Sequence, residues 1–263
     1  MSAHQHPHGE YRKSTRCRPE SITVLRVPIH NLTFDEALAR IAAMIATGRP
    51  NQIVTINPEF LVIARNNPAF HTVLASADLA LADGVGLQLA AALQGRRFVS
   101  RVPGSELVYR LAPLAAAHGW RLFFLGAGPG IAERAAQVLR AQYPTLKIAV
   151  DGADPTPAGT AAAVAHIQAT RPDILLVAYG APTQDLWIAR HGAAAGVPVM
   201  MGIGGTLDFV AGIVPRPPKL YRDLGIEWLY RLWKQPWRWH RQLRLPLFMF
   251  LVLAERVRGL VRI

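Results

Sequence analysis

In "LALADGVGLQ" an apolar run stops at Asp83, and Gly84 and Gly86 follow it. A carboxylate at such a place has little steric cover and can take a proton from a hydroxyl. Aspartate also fills turn and helix N-cap positions, so the residue type alone leaves both roles open. In "VTINPEF", Thr55 and Asn57 lie two apart at a second strand end and so share one face. Both side chains donate and accept hydrogen bonds, as a sugar hydroxyl requires, and both also serve as Asx-turn or cap residues. Gln184 in "YGAPTQDLW" can bond a base or sugar edge, and Gly204, Gly205 and Thr206 in "GIGGTLDFVAG" can turn backbone N–H groups toward an anion. Asp185 and Asp208 would, on the plainest reading, only neutralise helix N-termini.

"LGAGPGIAERAA" resembles part of a dinucleotide fingerprint, with Ile131 standing where the third glycine belongs. Gly126, Gly128 and Gly130 still let a backbone approach a phosphate at a helix start, and Asp151 at the end of the following strand can reach a ribose. A plain tight turn explains the glycines equally well. The alternative function carried by this turn is an NAD-dependent oxidoreductase.

These residues all sit where apolar runs end. "QIVTIN", "ADLALAD", "WRLFFLG", "LKIAVDG", "DILLVAYG" and "VPVMMGIG" read as buried strands, and Ala-rich stretches of helical spacing lie between them. Such alternation predicts an α/β protein: a Rossmann-like, largely parallel sheet with helices on both faces. Ligands of such sheets bind beyond the carboxyl ends of the strands, where these turns lie. Three prolines in "VPRPPK" interrupt the pattern. The expected organisation is a disordered arm over residues 1–20, a catalytic domain over 21–213 and a C-terminal helical appendage over 214–263.

Composition and charge narrow the partners. With 263 residues, 51% of them hydrophobic, the chain can bury a full core. The net charge of +12 asks for an anionic partner, and +8 of it lies from Arg216 onward. There "GIEWLYRLWKQPWRWHRQ" interleaves Trp228, Trp233, Trp237 and Trp239 with Arg231, Lys234, Arg238 and Arg241, whose spacing of three, four and three puts the cations on one helical face. Indoles favour the boundary between water and hydrocarbon, and cations favour an anionic leaflet, so contact with a membrane surface is expected; helix packing and an oligomer interface are the competing uses. A nucleic-acid grip has no use for the adjacent apolar run "LPLFMFLVLA", which is also too short to span a bilayer. The first 20 residues lack the apolar core of a signal peptide, and His4, His6 and His8 among them have no partner ligands, so no metal site is expected. The single cysteine, Cys17, excludes an intrachain disulfide. D-x-D, H-E-x-x-H, G-x-S-x-G and G-K-[ST] are all missing from the sequence, which removes support for a metal-bridged diphosphate site, a zinc hydrolase, an α/β-hydrolase and a P-loop NTPase.

"TINPE", "ADGVG", "RVPGSEL", "FFLGAGPG", "YGAPTQDLW", "GIGGTLDFVAG", "PRPP" and "LGIEWLYRLWKQPWRWHR" occur in the order and spacing of the WecG/TagA/CpsF glycosyltransferases, which the chain resembles from about residue 22 to 241. The resemblance implies a bacterial inverting, metal-independent transferase without a cofactor. Such an enzyme moves a sugar from a UDP donor to a polyprenyl-diphosphate-linked saccharide at the cytoplasmic face of the inner membrane. Wall teichoic acid, common antigen, capsule and exopolysaccharide synthesis are the processes it implies. It also implies Asp83 as the base, and Thr55, Asn57, Arg101 and Gln184 as substrate-binding residues. Arg216, Arg231, Arg238 and Arg241 become partners for diphosphates. Departures are Asp185 for the usual Glu, Arg216-Pro217-Pro218 for Arg-Ala-Pro, Leu207 for Phe, and Glu106 for Asp. They bear on the choice of donor sugar. A homo-oligomer is compatible with all of this.

Overall fold

The computed structural model of the protein describes residues 20–234, 239 and 243–260, so Arg238, Arg241, Trp237 and nearly all of the N-terminal arm lie outside it. Eight strands form one sheet in the order β1-β2-β4-β3-β8-β7-β5-β6. They are β1 (Ser21–Val24), β2 (Val27–His30), β3 (Asn51–Ile56), β4 (Leu79–Ala82), β5 (Arg121–Gly126), β6 (Lys147–Asp151), β7 (Ile174–Ala178) and β8 (Val199–Gly202). All neighbours run parallel except the β1–β2 hairpin. The fold is the expected α/β arrangement, with the hairpin as an addition at one edge.

Alternation along each strand feeds two faces. Leu122, Phe124, Ile174, Leu176, Val199 and Met201 pack against α1 (Phe34–Thr47), α5 (Gly104–His118), α6 (Ile131–Gln142) and α9 (Thr206–Val210). On the opposite face Val54, Ile56, Ala80 and Ala82 meet α2 (Pro58–Arg65), α3 (Pro68–Ser76) and α4 (Val85–Leu93). On that same face Phe123, Leu125, Leu175 and Val177 meet α7 (Pro157–Thr170) and α8 (Thr183–Ala195).

The neighbouring strands β3 and β8 send the chain to opposite faces: α2 follows β3 on one side and α9 follows β8 on the other. Their connections therefore diverge and leave a crevice at the carboxyl edge, the place where open α/β sheets bind ligands. Beyond the sheet come α10 (Lys219–Leu224), α11 (Glu227–Lys234) and α12 (Arg244–Leu260). Helix α12 buries Phe248 and Val252 in the same cluster as Phe60 and Leu61 of α2 and Leu87 and Ala90 of α4. Its outer face carries Leu247, Phe250, Leu253 and Val257, each at least 42% exposed, and no helix among the described residues is long and apolar enough to cross a membrane.

Candidate active site

The crevice holds two adjoining chambers. One, of about 390 Å³, lies over the ends of β3, β5, β7 and β8 and is lined by Thr55, Gly128, Tyr179, Gln184, Gly204 and Asp208 among others. The second, of about 210 Å³, lies between the turn after β4 and the C-terminal segment, where Arg101, Gly225, Glu227, Trp228, Arg244 and Leu245 line it. Asn57, Glu59, Asp83 and Ser105 line both. Asp83 therefore stands at the junction, where a group in one chamber can react with a group in the other.

Local backbone chemistry places it there. The Asp83 N–H donates to the Ile56 carbonyl at 2.7 Å, holding the β4 turn beside the end of β3, and the Gly104 N–H at the start of α5 donates to Asp83 Oδ2 at 3.3 Å. Gly104 is a glycine for steric reasons: a Cβ there would come within 2.7 Å of Thr55 Oγ1. One close approach thus sets Thr55, Asp83 and the amino end of α5 side by side. Asn57 caps α2, its Oδ1 accepting from the Phe60 N–H at 3.0 Å, which leaves its amide N–H groups to offer a ligand.

Gln184 is only 2% exposed. Its Oε1 accepts from the N–H of Gly180 at 3.1 Å and of Gly204 at 2.9 Å, so it staples together the turns after β7 and β8 that floor the larger chamber. The Gly204 N–H is committed to that staple, and the Thr206 N–H to the Ile203 carbonyl. Beside Gln184, Asp185 is 1% exposed with its Oδ2 unpartnered among the described residues. Burial, opposed in part by a hydrogen bond from Gln184 and one from its own backbone, pushes its carboxyl up to about 7, so it is no simple anion for the start of α8.

Ala127 and Gly128, just before α6, line the larger chamber, and Ala127 holds φ +74°, a conformation that costs a non-glycine residue about 1 kcal/mol. Gly126 does not face that space. The Tyr179 ring covers it, and a Cβ there would meet the ring at 2.6 Å. Burial pushes the Tyr179 phenol well up, and its O–H donates to the Ala153 carbonyl at 2.8 Å. Neither Gly130 nor Asp151 belongs to the described lining; Asp151 Oδ2 meets His166 Nδ1 at 2.8 Å and its Oδ1 accepts from the Ala153 N–H. In this part of the turn the Tyr179 ring packs over Gly126, and His166 pairs with Asp151.

Of the expected arginines, Arg101 lines the smaller chamber against Gly225, whose missing side chain makes room for the guanidinium. Arg216 is outside both linings, bonded to Glu106 Oε2 at 2.5 Å and lying 3.8 Å over the Tyr109 ring, where it ties the proline-rich segment to α5. Arg231 belongs to α11.

Residues 22–262 match the family described as Glycosyl transferase WecG/TagA/CpsF. The chain belongs to this family. It is 33% identical over 234 residues to the N-acetylglucosaminyldiphosphoundecaprenol N-acetyl-beta-D-mannosaminyltransferase of Bacillus spizizenii, covering 87% of this chain and 91% of the relative. A Staphylococcus aureus protein of the same description is 31% identical over 251 residues, covering 92% and 95%. The protein is a glycosyltransferase, which sets aside the oxidoreductase alternative.

Glu59, Ser105, Tyr179, Asp208, Glu227, Trp228 and Arg244 also line the cleft. None of them stands out as a site residue in the sequence. Glu59 and Ser105 sit inside "TINPE" and "RVPGSEL", next to residues that do; nothing in the sequence marks Arg244.

Proposed function

We propose that this transferase moves a sugar from a UDP donor in the larger chamber to a polyprenyl-diphosphate-linked saccharide in the smaller one, inverting the anomeric centre. The observation that carries this reading is the position of Asp83 on the lining of both chambers. The acceptor hydroxyl loses its proton to Asp83 as it attacks the anomeric carbon, and UDP departs from the opposite face. Gly128 at the amino end of α6 supplies a setting for the donor diphosphate, with Thr55 and Asn57 close to the reacting sugar. Arg101 faces the acceptor diphosphate, and Trp228 lines the same chamber. This reaction needs no metal: side-chain cations and helix N-termini meet the charge of the leaving group.

The relatives' activity makes N-acetylmannosamine the first donor sugar to test and an N-acetylglucosaminyl diphosphate lipid the first acceptor. The reading places the enzyme peripherally on the cytoplasmic leaflet, with residues 214–263 as its docking segment. Exposed Trp233 and Trp239 and the outer face of α12 support that placement. A panel of UDP-sugars offered with a synthetic prenyl-diphosphate sugar tests it. Consumption of one UDP-sugar with release of UDP is the expected result, and no consumption of any would refute it.

A further inference from the structure

Arg244 is the first residue of α12, where a cation meets the positive end of the helix dipole. Glu59 lies in the first turn of α2, where a carboxylate is favoured. The two meet at 2.5 Å, with side chains 37% and 20% exposed, although 185 residues separate them. A charge at the unfavoured end of its helix points to a local requirement rather than to helix stability. Attachment of α12 does not depend on the pair, because Phe248 and Val252 already bury the middle of the helix. What the pair sets is the amino end, where Leu245 lies close to Gly86, which Pro58 approaches as well, and all three line the smaller chamber.

We infer that Glu59 and Arg244 form a positioning pair that fixes this wall relative to Asn57 and Asp83, and that acceptor binding depends on it. Both are positioning residues. The inference rests on the proposed use of the smaller chamber for the acceptor. Glu59 is continuous in sequence with the Asn57 cap and lines both chambers, so a shift of the wall reaches the reacting centre through it.

The test is a double-mutant cycle on the full chain, read with a short-chain, water-soluble prenyl-diphosphate sugar so that membrane docking does not enter. Glu59→Gln and Arg244→Gln should each raise the acceptor KM about tenfold, leave the donor KM within about twofold, and show no further loss when combined. Unchanged acceptor KM, additive losses, or a parallel rise in both KM values with a falling Tm would overturn the pair. Should Arg244→Gln fail to fold, Glu59→Gln alone decides: a selective rise in acceptor KM upholds the proposal and its absence sinks it. Wild-type enzyme that turns over no prenyl-diphosphate sugar would instead refute the proposed function, which separates the two failures.

Discussion

Replacing Asp185 by asparagine should make the protein more stable at alkaline pH and change how its stability follows pH. Asp185 is 1% exposed, its Oδ2 has no partner among the described residues, and burial carries its pKa from 3.8 to about 7. An acid whose folded pKa is raised binds its proton more firmly in the native state, so native stability falls as pH climbs from the unfolded value toward the folded one. Three units at about 1.4 kcal/mol each give a penalty of about 4 kcal/mol once the carboxyl is ionised, of which about 2–3 kcal/mol develops between about pH 5 and about pH 8. Asparagine retains an oxygen to accept from Gln184 and carries no charge to bury. Urea unfolding of both proteins at the two pH values isolates this contribution, because the other titrating groups are common to both. The stability difference should grow in favour of Asp185→Asn by about 2–3 kcal/mol on going to the higher pH. A difference that does not change with pH would refute the assignment of a raised pKa to Asp185.

Two faces of α12 should separate stability from docking. Phe248→Ala, at a 0% exposed site, should cost about 3–5 kcal/mol by urea titration, whereas Phe250→Ser, at 66% exposed, should leave Tm almost unchanged and weaken binding to anionic vesicles in a sedimentation assay. Equal vesicle binding by Phe250→Ser and wild type would count against that face as the docking surface. Gly225→Ala should displace the Arg101 guanidinium, raising acceptor KM about tenfold or more with donor affinity retained, as measured by steady-state kinetics and UDP titration.

The parallel strands were readable because each is an apolar run that ends in a polar or glycine turn, and those turns mark the cleft. The β1–β2 hairpin was not, since Leu25 and Arg26 occupy its left-handed positions at φ 47° and 65° where Asn-Gly or Asp-Gly normally announces the turn. Helix α1 does carry a readable sign: Thr33 and Glu36 form a capping box, and Gly48 ends the helix in the left-handed region. Within the site, Asp83, Thr55 and Asn57 follow from strand-end position, and the structure brings them together. Gln184 was legible as a polar residue at a turn, but its role as a backbone staple depends on Gly180 and Gly204 converging from different strands. Pairing of Glu59 with Arg244, and of Asp151 with His166, arises only from tertiary packing and leaves no periodic trace in the chain.

The Asp83→Asn variant, assayed for sugar transfer alongside donor affinity, decides whether this carboxylate takes the acceptor's proton. With the amide still able to accept from the Gly104 N–H, donor binding should stay within about twofold while turnover falls by about 10²–10⁴, the usual contribution of a positioned base. Turnover above about a tenth of the wild-type rate, with donor binding intact, would contradict the assignment of proton removal to this carboxylate.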